Sequence, residues 1–177
     1  KDENGLNCCV SSWERINDNS LSPKIKVGAN YMNSRAGQLE AIRNGYDFPV
    51  FLNDAGKVSE GPGACIFMIR DNVLVTPPIT ASILESITRE TIIEIAENEL
   101  NMKVEVRDMD RTDLYIADEL FFCGTAVEVV PIITMDQIKV GSGKIGHHTQ
   151  LIIDMYFNIV RGENKKYLHY LTPIINE

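Results

Sequence analysis

The stretch Ala64-Cys65-Ile66-Phe67-Met68-Ile69-Arg70-Asp71-Asn72-Val73-Leu74-Val75-Thr76-Pro77-Pro78 decides the fold class. Two short apolar runs flank a polar Asp71-Asn72 pair, which is the pattern of two strands joined by a turn. A similar unit lies upstream: a strand from Pro49, a turn over Asp54–Gly56 and a second strand through Lys57-Val58-Ser59. Farther upstream, Ala36, Leu39, Ala41 and Ile42 recur at helical spacing between Ser34 and Asn44, and Gly45 follows as a C-cap. Asn17–Pro23 reads as a loop, and Cys8–Trp13 as a first strand.

Downstream, residues 88–100 make the clearest helix. Ile92, Ile95, Ala96 and Leu100 form one apolar stripe, Thr88 or Ser86 offers an N-cap, and Glu90 sits in the first turn. Val104–Val106 reads as a strand and Arg111–Ala117 as a short helix. Leu120–Cys123 reads as a buried strand running into Gly124-Thr125. Val127–Thr134 and Ile138–Val140 are further strands, and a last helix starts near His148-Thr149 and carries Leu151, Ile152, Met155 and Ile159. Strands and helices alternate irregularly around two hairpins, so the expected class is α+β (mixed α/β) with much antiparallel pairing. Neither a repeat nor a low-complexity linker divides the 177 residues, and a single domain is expected over 1–177, with residues 1–25 an opening strand and loop.

Composition narrows the function. Hydrophobic residues make up 44% and charged residues 24%, as in ordinary globular domains. The net charge of −8 argues against a nucleic-acid partner, because such modules present a basic face. It leaves room for a small anion held by a few local donors. Cys8, Cys9, Cys65 and Cys123 form no C-x-x-C, and His147, His148 and His169 have no partner at ligand spacing, so no metal site is expected. Free thiols, an acidic balance and the lack of a leader or an eighteen-residue apolar run favour the cytoplasm and no membrane partner.

Three segments carry residues suited to chemistry. Glu60-Gly61-Pro62-Gly63 places a carboxylate at a strand end before a tight, flexible backbone. Ile83-Leu84-Glu85-Ser86-Ile87-Thr88-Arg89 gathers hydroxyls and free N–H groups at a helix start, and Gly124-Thr125-Ala126 makes a small polar turn after a buried strand. Helix starts and Gly/Thr turns attract anions, since unpaired N–H groups and the helix dipole both favour negative charge. Each feature alone also belongs to any well-capped helix or turn.

Taken in order, these segments resemble the class IV (fold type IV) pyridoxal-phosphate aminotransferases, and among them the branched-chain aminotransferases. The resemblance is carried by Lys26-Val27-Gly28-Ala29-Asn30-Tyr31 with Asn33-Ser34, Glu40-Ala41, Gly45-Tyr46-Asp47, Val58-Ser59-Glu60-Gly61-Pro62-Gly63 and Thr76-Pro77-Pro78. It continues through Ile87-Thr88-Arg89, Ala117-Asp118-Glu119 and Gly124-Thr125-Ala126-Val127-Glu128. It covers about Val10 to Phe157. It implies the cofactor-binding C-terminal domain of the D-amino-acid-aminotransferase-like fold, a mixed sheet or pseudo-barrel with flanking helices. Family members carry an N-terminal domain ahead of the lysine. Only 25 residues precede Lys26 here, so that domain is expected to lie outside this chain.

The resemblance also assigns roles. Lys26 matches the lysine that forms the Schiff base with the cofactor and then moves the proton. Such an amine is expected to be partly desolvated or near positive charge, and only the distance to Asn30-Tyr31 selects Lys26 over Lys24. Glu60 matches the carboxylate on the pyridine nitrogen, which keeps the ring protonated and an electron sink. Tyr31 matches the phenol on the 3′-oxygen, and Leu84 the apolar residue against the ring face. Ile87, Thr88 and Thr125 match phosphate ligands, and Gly124, Thr125 and Ala126 match the turn whose amides meet the substrate carboxylate.

Three positions depart from the usual pattern: Cys65 for asparagine, Ser86 for glycine and His147 for proline. Cys65 is read as buried packing, since no base or cation adjoins it in sequence. The implied reaction is transamination of leucine, isoleucine or valine with 2-oxoglutarate, expected only together with the missing N-terminal domain and, at full length, from a homodimer or larger homo-oligomer. D-amino-acid aminotransferases, (R)-amine transaminases and aminodeoxychorismate lyase share the scaffold. An interaction module that keeps the packing without the chemistry is the reading from another class.

Overall fold

The computed structural model describes residues 5–172 and 174. Its elements in chain order are β1 (Leu6–Glu14), α1 (Tyr31–Arg43), β2 (Phe48–Leu52), β3 (Cys65–Arg70), β4 (Val73–Thr76), α2 (Ile87–Asn98) and β5 (Lys103–Val106). They continue with α3 (Asp113–Ile116), β6 (Glu119–Gly124), β7 (Glu128–Met135), β8 (Ile138–Lys139) and α4 (His147–Val160). Short 3-10 segments occupy Gly28–Asn30 and Lys165–Tyr170.

The β3–β4 hairpin is as its sequence predicts. Its turn residues Asp71 and Asn72 both adopt positive φ, 50° and 62°, the left-handed pair that a two-residue hairpin needs and that short polar side chains tolerate. β3 then pairs antiparallel with β6, and β6 with β7. β1 joins β7 and β2 in parallel, and β5 joins β4 in parallel. The sheet therefore runs β2-β1-β7-β6-β3-β4-β5, with β8 on β7.

The second strand expected after Asp54–Gly56 is reduced to isolated bridges, Leu52 to Val58 and Lys57 to Asp110. The reason lies in pairing across the molecule: the Val58 N–H donates to Met109 O at 2.8 Å, so residues after β2 meet residues after β5. That contact curls the sheet and brings its two edges together. Inside the curl lie Cys8, Val50, Val58, Ile66, Met68, Val75, Met109, Leu120, Phe122 and Ile132. On the outer face, α2 and α4 cover Phe67, Ile69, Leu74 and Phe121 with Ile92, Ile95, Ile152 and Ile159. Phe67 and Phe121 stack with centroids 5.1 Å apart. A fully buried side chain of this size contributes roughly 1.5–3 kcal/mol, so the two-sided apolar strands anchor the domain.

α1 begins at Tyr31, three residues ahead of its expected start, because the Gly28–Asn30 turn feeds straight into it. The N-cap of α4 is Gly146, which has no side chain to cap the helix. Glu119 serves instead, accepting from the His148 N–H at 3.1 Å and the Thr149 N–H at 2.7 Å. Among the described residues no helix is long and apolar enough to cross a membrane.

Candidate functional site

One mouth of the curled sheet gathers the end of β1, the start of β3, the end of β6 and the first turn of α2. These surround a cavity of about 570 Å³. Lys26, Tyr31, Glu60, Leu84, Ile87, Gly124, Thr125 and Ala126 all line it. Residues scattered over a hundred positions of sequence thus share one concave surface of ligand size.

The loop that carries Lys26 is set by Asn30. This side chain is 6% exposed, and its Nδ2 donates to Ser22 O at 2.9 Å and Ile25 O at 2.8 Å, clamping the Ser22–Ile25 backbone that carries the lysines. Lys24 and Lys26 both line the cavity. The desolvation expected of Lys26 is not found. Its side chain is exposed at the open side of the cavity, because the clamp holds the loop by its backbone and leaves the amine free.

Glu60 is held from several sides. The Phe51 N–H donates to its carbonyl at 2.9 Å, and the Leu84 N–H donates to Oε2 at 3.2 Å. The following Gly61-Pro62-Gly63 turn needs glycine at both ends, for packing at Gly61 and for backbone conformation at Gly63. A Cβ on Gly61 would lie 2.8 Å from Phe122 Cε1, and Gly63 adopts φ +122°. Across the cavity, a Cβ on Gly124 would meet Gly63 O at 3.3 Å, so the two glycine turns approach one another and narrow the floor.

The first turn of α2 forms another wall. Ser86 is its N-cap, with Oγ accepting from the Arg89 N–H at 3.2 Å. The N–H groups of Ile87 and Thr88 find no acceptor among the described residues, as the start of a helix dictates. Arg89 is buried and donates through Nε to Thr76 Oγ1 at 3.2 Å and through Nη2 to Pro77 O at 3.0 Å. It pins the helix start to the end of β4 and gives the Thr76-Pro77-Pro78 block its structural use. Thr88 does not line the cavity. It lies buried in the first turn behind Ser86 and Ile87, which do line it.

Sequence reasoning missed Arg15. This residue follows β1 and is buried; its Nη2 lies 2.6 Å from Glu60 Oε1, and its Nη1 donates to Ser34 Oγ at 3.2 Å. No local pattern marks an arginine after a polar strand end. The signal was indirect: a carboxylate expected beneath a cavity needs a cation, and the cation had to come from elsewhere in the chain. Burial pushes Glu60 up to about 7, against the pull of the Arg15 charge and the Leu84 N–H. Cys65 and Cys123 face each other across β3 and β6 and line the same floor. Burial, aided by the Glu60 charge, pushes Cys65 up to about 12, and burial raises Cys123 as well. Both are packing thiols here, as read for Cys65.

The site therefore offers free amines, a buried carboxylate, a half-exposed phenol at Tyr31, and unpaired N–H groups at a helix start. That donor set suits a small aromatic carbonyl compound with an anionic arm: amine for carbonyl, carboxylate for a ring nitrogen, N–H groups for the anion. Among the described residues no three His, Cys, Asp or Glu side chains come together as a ligand set.

Comparison with known proteins agrees with this geometry. A family model described as amino-transferase class IV matches residues 1–134. A probable branched-chain-amino-acid aminotransferase of Aquifex aeolicus is 42% identical over 173 residues, covering 98% of this chain and 56% of the relative. The crystal structure of a branched-chain amino acid aminotransferase from Thermobaculum terrenum in its PLP form superimposes with a TM-score of 0.96 at 46% identity, covering 99% of this chain and 57% of that one. A branched-chain aminotransferase from Thermoproteus uzoniensis with norvaline gives 0.94 at 41% identity, covering 98% and 57%. The chain spans about half the length of the curated relatives it matches.

Proposed function

The chain belongs to the class IV aminotransferases, and from that premise we propose that it is the cofactor-binding domain of an enzyme that transfers amino groups between branched-chain L-amino acids and 2-oxoglutarate. The observation that carries this is the convergence of Lys26, Tyr31, Glu60 and the α2 start on one cavity. Relatives named as branched-chain aminotransferases, one of them crystallised in its PLP form, support the substrate class and the cofactor. The acceptor 2-oxoglutarate rests on the family resemblance.

When bound, pyridoxal phosphate supplies an electrophilic carbonyl and an electron-withdrawing ring that together take up the amino group and the electron pair left at the substrate Cα. The chain's own residues would do the rest. Lys26 Nζ would hold the cofactor at its carbonyl carbon and, when substrate takes its place there, would carry the proton from the substrate Cα. Glu60 would face the ring nitrogen, the Tyr31 hydroxyl would donate to the ring oxygen, and Leu84 would pack on the ring. The Ile87 N–H and Thr125 would hold the phosphate, with the Thr88 N–H behind them adding to the positive end of α2. The Gly124-Thr125-Ala126 turn presents amides to the substrate carboxylate. Homodimer assembly fits the apolar rim of Ile25, Val27 and Ile87, all exposed around the cavity. Four free, buried cysteines suit a reducing cytoplasm.

The test is to add pyridoxal phosphate, record the absorbance band of the lysine-bound cofactor, and then titrate L-leucine, L-isoleucine, L-valine and D-alanine separately. Loss of the band with the branched-chain L-acids, and its return with 2-oxoglutarate, supports the proposal. Loss with D-alanine alone would favour the D-amino-acid reading. Failure to take up cofactor both by this chain alone and by the chain joined to the N-terminal domain that the resemblance implies would favour the interaction module.

A further inference from the structure

Arg15 and Glu60 are the buried charges of the cavity wall; the other charged side chains that line it, Lys24, Lys26 and Glu85, are exposed. The pair is tied to several elements. The Arg15 N–H donates to Leu52 O at 2.8 Å at the end of β2. Its guanidinium spans Glu60 Oε1 at 2.6 Å and Ser34 Oγ on α1 at 3.2 Å, and Glu60 Oε2 takes the Leu84 N–H at 3.2 Å. Both side chains are nearly sealed, at 6% and 3% exposure. Each carboxylate oxygen thus has one fixed protein donor, and the remaining lone pairs are free for a ligand in the cavity.

Holding two charges under a cavity floor is costly unless the arrangement has a use. The use follows from the proton that a carboxylate and a pyridine nitrogen share when they meet. That proton resides on whichever partner is the stronger base. A buried carboxylate with no cation beside it is a strong base and keeps the proton, leaving the ring nitrogen neutral. A guanidinium at 2.6 Å weakens the carboxylate as a base and pushes the proton to the ring. We propose that Arg15 is a positioning residue for the cofactor ring: its charge on Glu60 Oε1 makes the shared proton reside on the pyridine nitrogen rather than on Glu60. The inference rests on the proposed reading that Glu60 faces that nitrogen.

Groups that also face Glu60 agree with this assignment. Burial alone drives Glu60 toward the neutral form, and Arg15 is the largest opposing influence. The Leu84 N–H adds to it, whereas the Cys65 thiol, itself pushed up to about 12, stays neutral and supplies no charge. Tyr31, Lys24 and Lys26 lie on the open side of the cavity. The cation beside Glu60 is therefore the buried Arg15, and the amines of Lys24 and Lys26 lie on the open side.

The experiment uses the full chain loaded with pyridoxal phosphate isotopically labelled at the ring nitrogen, whose NMR resonance reports its protonation. Wild type, Arg15→Gln, Arg15→Met, Arg15→Lys and Glu60→Gln are compared at neutral pH, with circular dichroism to verify folding. The expected result is a protonated-type resonance in wild type and Arg15→Lys, and a shift toward the neutral position in whichever neutral Arg15 variant folds. A merely structural Arg15 would alter cofactor affinity and leave the resonance where it is, and that outcome overturns the proposal. Glu60→Gln separates the two readings. If it leaves the resonance unchanged, Glu60 is not the nitrogen's partner and the site reading itself fails. If it moves the resonance while both Arg15 variants do not, only the role given to Arg15 fails.

Discussion

Replacing Glu60 with glutamine should change how the stability of the cofactor-free chain depends on pH. Burial raises the Glu60 carboxyl from 4.5 to about 7 in the folded protein. The folded chain therefore keeps a proton that the unfolded chain has already released between those values. A carboxyl raised in this way contributes stability that is complete below about pH 4.5 and is lost as pH rises through about 7. At about 1.4 kcal/mol per pH unit, the loss amounts to about 3 kcal/mol, and the side chain is too deeply buried for solvent to screen it. Glutamine has no proton to lose and keeps a similar shape beside Arg15. The assay is urea unfolding of both proteins at intervals from about pH 4.5 to about pH 8.5, taking the difference at each pH. Glu40, Glu99 and Glu105 are shifted downward, so their own effect on stability falls mainly below that range, and because they occur in both proteins it cancels. Wild type should lose about 3 kcal/mol relative to Glu60→Gln across that range. A difference that stays flat, or grows in favour of wild type, would mean that the Arg15 pair outweighs burial and would refute the reasoning.

Other expectations follow from the packing. In Gly146→Ala the new Cβ would sit 2.0 Å from Glu119 Cδ, so the carboxylate that caps α4 must move. Losing two charge-assisted bonds there should cost roughly 2–4 kcal/mol in chemical unfolding, with α4 fraying first by hydrogen exchange. Arg89→Met removes the donors to Thr76 Oγ1 and Pro77 O and should lower stability by about 1–3 kcal/mol; an unchanged unfolding midpoint would show that this link is idle. All four cysteines are buried, with Cys9 pushed up to about 11 and Cys65 to about 12. A thiol reagent near pH 8 (about the usual working range) should therefore react only after denaturant is added.

The strands and the residues around the cavity were legible where the signal is local. Ala64–Thr76 announces a hairpin through two apolar runs and an Asp-Asn turn, and both turn residues do adopt positive φ. The motif residues lie on turns and helix starts, whose chemistry depends on neighbours in sequence. Long-range pairing left no such trace. Val58 meets Met109 across the curl, and that converts an expected strand into isolated bridges. The start of α1 was hidden because Tyr31, Met32 and Asn33 show no apolar stripe; Met32 is 70% exposed and the turn before it does the anchoring. Arg15 was hidden for the same reason as the sheet closure, since its partner Glu60 lies 45 residues away by their numbers. The exposure of Lys26 is likewise a property of the clamped loop and not of the residues beside it.

Chemical mapping of the amine that holds the cofactor tests the central assignment most directly. The chain is mixed with pyridoxal phosphate, reduced with borohydride, digested, and its peptides are sequenced by mass spectrometry, with Lys26→Ala and Lys24→Ala run beside it. The expected result is a single phosphopyridoxyl group on Lys26, retained in Lys24→Ala and absent from Lys26→Ala. A label on Lys24, or one spread thinly over surface lysines in every variant, would contradict it.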